Sequence, residues 1–187
     1  MSSTITRDLV TEIIENQPAF EVANGSRTLA LEQFKKLGLP SAKHEEYRFT
    51  PITRHLEKNF SWTKSNSEST LSSISEFLIP QLDANIIVLV NGRFNALHSK
   101  IVSLESEVTI TTLSEAFRKE HPAVKEYFNK NLHTETDAFA ALNSAGWQEG
   151  VFIYVQENTA VSKPIFILQV NDGSQSQVTT QTRIRIQ

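Results

Sequence analysis

Apolar residues recur at helical spacing over the first forty positions. Ile5, Leu9 and Ile13 lie four apart with Val10 and Ile14 beside them, which predicts an amphipathic helix ending before Pro18. Leu31, Phe34 and Leu37 predict a second helix from about Ser26 to Leu37. Gly38 is placed to close it in the left-handed conformation, and Pro40 prevents its continuation. Residues 61–76, "SWTKSNSESTLSSISE", are rich in Ser, Asn, Thr and Glu. That composition resists burial and predicts a loop, with a short helix or strand in "SISEFLIP" at its end.

The period then changes. Ile86–Val90 is apolar at both alternating faces, as expected of a strand covered on both sides. Asn91-Gly92 follows, a pair that tolerates the two positive φ angles of a two-residue type I′ hairpin. Helical spacing returns in "VTITTLSEAFRKEHPAVKEYFNKN". One stripe is Leu113, Ala116 and Phe117; another is Val124, Tyr127 and Phe128, with Pro122 in the first turn of the second helix. "TDAFAALNSAG" predicts a further helix with Phe139 and Leu142 inward and Gly146 near its end. After Gly150 the pattern is that of strands: "GVFIYV", "PIFILQV" and "QVTTQTRIRIQ", separated by "ENTAVSK" and "NDGSQSQ". Val178, Thr180, Thr182, Ile184 and Ile186 alternate with Thr179, Gln181, Arg183 and Arg185. The pattern still runs at Gln187, which predicts that the 187 residues are part of a longer β architecture. It also predicts an open strand edge through which two copies would associate as a homodimer.

Composition narrows the function classes. A length of 187 residues suits one domain or two small ones. The net charge of −3 and the lack of a basic stripe offer no positive field for nucleic acid or an anionic membrane. With no cysteine, the chain itself provides no disulfide, thiolate or Cys-ligated cluster. No apolar run approaches a membrane span and the N-terminus has no secretory apolar region, so the expected location is cytoplasmic.

Candidate chemistry is sparse. "HEEYR" begins like the zinc motif H-E-x-x-H, but Arg48 stands where the second imidazole is required. Six glycines scattered singly form no phosphate-cradling motif. Glu45 and Glu46 are adjacent and so diverge on a helix or a strand, which is wrong for an acid–base pair. Glu12 and Glu15 share a helical face that solvation explains. Trp62 and Trp147 read as packing residues, Trp147 as a cap on the end of the late strands. No catalytic, cofactor-binding or metal-ligating residue is assigned, and the chain is read as a non-enzyme. The residues alone describe an α+β protein with no resolvable active site.

Two stretches carry a resemblance. "LGLPSAKHEEYRFTPI", preceded by "RTLALEQFKK", resembles the N-terminal signature of the SufB/SufD family, in its SufD branch. "DAFAALNSAGWQEGVFIYVQENTAVSKPIFI" resembles that family's passage from helix to strand. Trp147 in "AGW" is a departure, since the resemblance implies a less bulky residue there. The resemblance implies an N-terminal helical domain followed by the first rungs of a right-handed parallel β-helix, an architecture that the late strands also suit by stacking. Val151, Ile153 and Val155 are then candidate inward residues. The expected organisation is a helical domain over 1–60, a Ser-rich loop over 61–84, a hairpin and helices over 85–149, and the start of a β-helix core over 150–187.

The implied function is a non-catalytic scaffold of the SUF system for iron–sulfur cluster assembly. It would work with SufB and the ATPase SufC through regions mostly beyond this chain, without a cofactor held by these residues. Lys43–Arg48 then reads as a structural joint, its charged groups orienting the helical domain by charge-assisted hydrogen bonds, or as a plainly packed linker. Two alternatives stay open: the paralogous SufB, and a β-helix enzyme acting on polysaccharides.

Overall fold

A computed structural model describes residues 9–15, 24–59, 71–130 and 133–172. In chain order its elements are α1 (Leu9–Glu15), α2 (Asn24–Leu37), α3 (Ile52–Asn59), β1 (Asn85–Val90), β2 (Arg93–Phe94), β3 (Thr109–Thr112), α4 (Leu113–Arg118), α5 (Pro122–Tyr127), α6 (Ala138–Gly146), β4 (Val151–Tyr154) and β5 (Ile165–Val170). Short 3-10 turns span Glu45–Tyr47 and Ser75–Phe77. These elements fall into two compact units, one drawn from 1–66 with 131–147, the other from 67–130 with 148–187.

The first unit holds α1, α2, α3 and α6. Leu9 and Ile13 of α1, Phe34 of α2, and Ala141 and Leu142 of α6 are buried together; Leu56 of α3 and Phe139 of α6 pack against them. Ile5 lies outside the described residues. The buried face of α2 is Arg27, Ala30 and Phe34, whereas Leu31 is half-buried and Leu37 exposed. The helix is thus turned from the expected stripe. α2 packs on α6, Ala30 is buried on the one and Ala140 and Ala141 on the other, and small residues let helix backbones approach. Gly38 closes α2 at φ +64°, its N–H bonded to the Phe34 carbonyl at 2.8 Å. Asp137 caps α6 by accepting from the N–H groups of Phe139 and Ala140 at 2.8 and 3.0 Å.

The second unit is built on β1, whose Ile87–Val90 are all buried. Asn91 and Gly92 take φ of 50° and 79°, and the tight turn returns the chain into β2, antiparallel to β1. On its other side β1 pairs in parallel with β5 over six positions, from Asn85 opposite Ile165 to Val90 opposite Val170. A parallel central strand is covered on both faces, which is why Ile86–Val90 reads as an uninterrupted apolar run.

The late strands do not stack as rungs of a parallel β-helix. β4 belongs to a separate two-stranded sheet, antiparallel to β3, while β5 lies in the sheet β2-β1-β5. Consecutive in sequence, β4 and β5 each pair with a strand far upstream. The expected fold class is therefore corrected: the described residues form a mixed α/β structure with two small sheets. The physical reason lies in β1 and β3. Each presents an edge that an extended apolar segment satisfies, over six matched positions at β1 and four at β3, and these pairings outweigh the shorter connection of a local coil. β3 itself interrupts the helical reading of "VTITT". Of the candidate inward residues, Val151 and Ile153 are half-buried and Val155 is exposed. The alternating segment 178–186 lies outside the described residues.

Candidate functional site

The Lys43–Arg48 stretch is a closed loop between α2 and α3. Ser41 organises its start: its Oγ accepts from Lys43 N–H at 3.3 Å, its N–H donates to His44 Nδ1 at 3.1 Å, and its carbonyl accepts from His44 N–H at 3.0 Å. Tyr47 N–H donates to the His44 carbonyl, and Arg48 N–H to that of Glu45. The loop is shut at its base where Thr53 Oγ1 donates to the Pro40 carbonyl.

Tyr47 is the loop's inward anchor. Its ring sits 5.8 Å from Phe139 on α6. Burial, then the carboxylates of Asp137 and Glu46, raise its phenol above the ordinary value. The rest of the stretch faces outward: Lys43, His44, Glu45, Glu46 and Arg48 are exposed. Phe49 is 88% exposed, with the Arg48 guanidinium 5.4 Å from its ring centroid. Lys43, Glu45, Glu46 and Arg48 form no ion pair among the described residues. The aromatic ring, not the charges, fixes this loop to its unit.

Trp147 is the C-terminal cap residue of α6, where the Arg27 guanidinium lies 5.4 Å from its ring centroid. Arg27 is 7% exposed and donates Nε–H to the Ala145 carbonyl at 3.1 Å and Nη2–H to the Trp147 carbonyl at 2.8 Å. A cation thus closes the negative end of α6 from a neighbouring helix. Burial lowers the pKa of Arg27, yet a guanidinium keeps its charge across ordinary pH. Spacing of 27, 30 and 34 marks this face; a charged residue at one of the three concealed it. Trp62 lies outside the described residues.

The second unit carries its own polar framework. Asn85, fully buried, accepts at Oδ1 from Val102 N–H (3.0 Å) and Ser103 N–H (2.9 Å) and donates through Nδ2 to Ser103 Oγ and the Lys163 carbonyl. Glu149 accepts from Ser114 N–H at 3.1 Å, Gly150 N–H at 2.9 Å and Ser114 Oγ, closing the first turn of α4. Glu107 accepts from Ser162 through both the hydroxyl, at 2.8 Å, and the N–H, at 3.2 Å. These two bonds, hydroxyl first, hold its carboxyl below the ordinary value. Asp83 is likewise held low by the Lys163 ammonium that bonds it.

The histidines serve local structure. His98 pairs with the Leu71 carbonyl at 3.2 Å, and His55 Nδ1 with Asn59 at 3.0 Å. His121 caps α5 by accepting from Ala123 N–H at 3.3 Å, its ring packed against Phe152 and Tyr154 at 4.8 and 4.7 Å. The His133 carbonyl accepts from Asp137 N–H at 2.9 Å. No group of three His, Cys, Asp or Glu side chains among the described residues is arranged to hold a metal ion. No described helix is long and apolar enough to cross a membrane.

These features define a mixed α/β protein in which polar side chains close helix ends, strand ends and loops. A family model described as the SufBD protein N-terminal region matches residues 9–167. The chain belongs to the SufBD family. Among curated proteins it is 25% identical over 173 residues to an iron–sulfur cluster assembly SufBD family protein of Staphylococcus epidermidis RP62A, covering 86% of this chain and 37% of that protein. Proteins of the same description from Staphylococcus haemolyticus JCSC1435 and Staphylococcus saprophyticus are also 25% identical, over 173 and 175 residues, with the same coverage. The chain thus spans 37% of the length of these relatives.

Proposed function

We propose that this chain is the N-terminal portion of a non-catalytic scaffold subunit in cytoplasmic iron–sulfur cluster assembly. Within the SufBD family it acts as the SufD type, working beside SufB and a SufC-type ATPase. The carrying observation is the family match over 9–167, supported by relatives whose names state iron–sulfur cluster assembly. The side chains favour the scaffold reading. Asn85, Glu149, His121 and Arg27 are all engaged in closing backbone groups, while the outward Lys43–Phe49 loop offers charges and an aromatic ring to a partner. The domain organisation set out from the sequence is carried forward as part of this proposal in its helical N-terminal portion, 1–60.

The test is affinity isolation of the full-length protein from its own cells, with co-purifying chains identified by mass spectrometry. Recovery of a SufC-type ATPase together with SufB is expected. Recovery of neither contradicts the reading, and recovery of the ATPase with a SufD chain assigns the SufB role instead.

A further inference from the structure

The β1–β2 turn contains an Asn-Gly pair, the dipeptide with the least steric hindrance to intramolecular attack on an asparagine side chain. The second such pair of the chain is Asn24-Gly25. At the turn the Asn91 carboxamide is engaged at both ends. Its Nδ2 donates to the Asp172 carbonyl at 3.2 Å, and its Oδ1 accepts from Asp172 N–H at 2.8 Å. The Asn91 N–H donates to the Val170 carbonyl at 2.9 Å. The side chain therefore continues the parallel β1–β5 ladder by one further rung beyond Val90 and Val170.

We propose that Asn91 is a spontaneous modification site, a deamidation centre held unreactive by its two bonds to Asp172. The chemistry needs only water. The Gly92 backbone nitrogen gives up its proton to solvent base and attacks Asn91 Cγ. The new carbon–nitrogen bond closes a five-membered imide, the bond from Cγ to Nδ2 breaks, and the nitrogen departs as ammonia after taking protons from water. Water then opens the imide at either carbonyl, giving aspartate or isoaspartate. The net change is amide plus water to acid plus ammonia, with no redox step.

Two features oppose this in the folded chain. Cγ must turn toward the Gly92 nitrogen, but its two substituent atoms are tied to the chain beyond β5. The Asn91 backbone is held in the left-handed region at φ 50° by the two-residue turn, so rotation that brings nitrogen and Cγ together breaks the hairpin. Reaction thus proceeds from the state in which the ladder end has opened, and its rate reports that opening. The product does not restore the lock. An aspartate side chain has no N–H for the Asp172 carbonyl, and isoaspartate adds a backbone methylene to a turn that admits two residues. Each opening that reacts leaves a chain less able to close, so the site works as a one-way record of time spent with the β5 end detached.

Isoaspartate and aspartate at residue 91 are measured by peptide mapping after incubation of the whole chain in mildly alkaline buffer, with and without denaturant. In the denatured sample Asn24, the other Asn-Gly pair, shows the rate of an unrestrained pair. The native chain is expected to convert Asn91 about tenfold or more slowly than the denatured chain. Equal rates overturn the proposal. Asp172→Pro, which removes the N–H held by Oδ1, is expected to raise the native rate when circular dichroism shows it folded. Where proline prevents folding, the comparison of native and denatured rates decides alone. A folded variant that converts no faster than wild type shows that the Asp172 bonds are not the restraint, and overturns the proposal as well.

Discussion

Arg27 and Trp147, 120 residues apart, meet twice: the guanidinium donates to the Trp147 carbonyl at 2.8 Å and lies 5.4 Å from the indole ring centroid. With its bond to the Ala145 carbonyl, Arg27 ties α2 to the end of α6. Arg27→Ala removes both donors and leaves two carbonyls at a buried helix end without them. A loss of about 2–4 kcal/mol in urea-unfolding stability is expected. Arg27→Lys keeps the charge but not the planar fork and falls between. An alanine variant as stable as wild type contradicts the joint.

Asn85 makes four hydrogen bonds from a fully buried position, to Val102, Ser103 and Lys163. Asn85→Ala leaves those partners unsatisfied and is expected to cost about 2–4 kcal/mol. Asn85→Asp is expected to cost more, because it deletes two donor bonds and buries a carboxylate. Denaturant titration of the three proteins ranks them.

Ser144 points the other way. It is 2% exposed on α6, and its Oγ has no hydrogen-bond partner among the described residues. Ser144→Ala removes an unpaired buried hydroxyl from a helix and substitutes the best helix former. Thermal unfolding is expected at the same temperature as wild type or above it; a clear decrease shows that the hydroxyl is bonded.

Acid sensitivity is expected in the second unit. Glu107 and Asp83 are both held below their ordinary values of 4.5 and 3.8, by Ser162 and by Lys163 respectively. A lowered folded value means that the ionised form favours the fold. That contribution is complete above the ordinary values and is lost as pH falls through the lowered ones. Both groups are exposed, so the slope is shallow. Melting temperature followed from neutrality into acid is expected to decline less steeply in Glu107→Gln than in wild type. Parallel curves contradict the assignment.

The local elements were legible where one residue type decides the backbone. Gly38, Pro122 and the Asn91-Gly92 pair each dictate a conformation that neighbours do not override, and each stands where its chemistry requires. Tyr154 and Ile165 begin to show what was not legible. The strands they belong to were identified, yet their partners, Thr109 and Asn85, lie 45 and 80 residues upstream. Periodicity reports that a segment is extended, not which edge it meets, and turns without helices between β4 and β5 favoured a stacked reading that the pairings replace. α3 and β3 carry little signal in the sequence, because "ITRHLEKN" is short and mostly polar and "TITT" borders a helix. In the candidate site, the Lys43–Arg48 charges were conspicuous, but the contact that matters, Tyr47 on Phe139, joins residues 92 apart. Arg27 sits on a buried face that a hydrophobic stripe cannot reveal.

The most direct measurement of the functional claim is made in cells whose gene for the full-length protein is deleted and in which no other cluster-assembly system is expressed. Activity and cluster content of an iron–sulfur enzyme are followed there. Both are expected to fall and to be restored by the full-length gene; enzymes that stay fully loaded without it contradict a role in iron–sulfur cluster assembly.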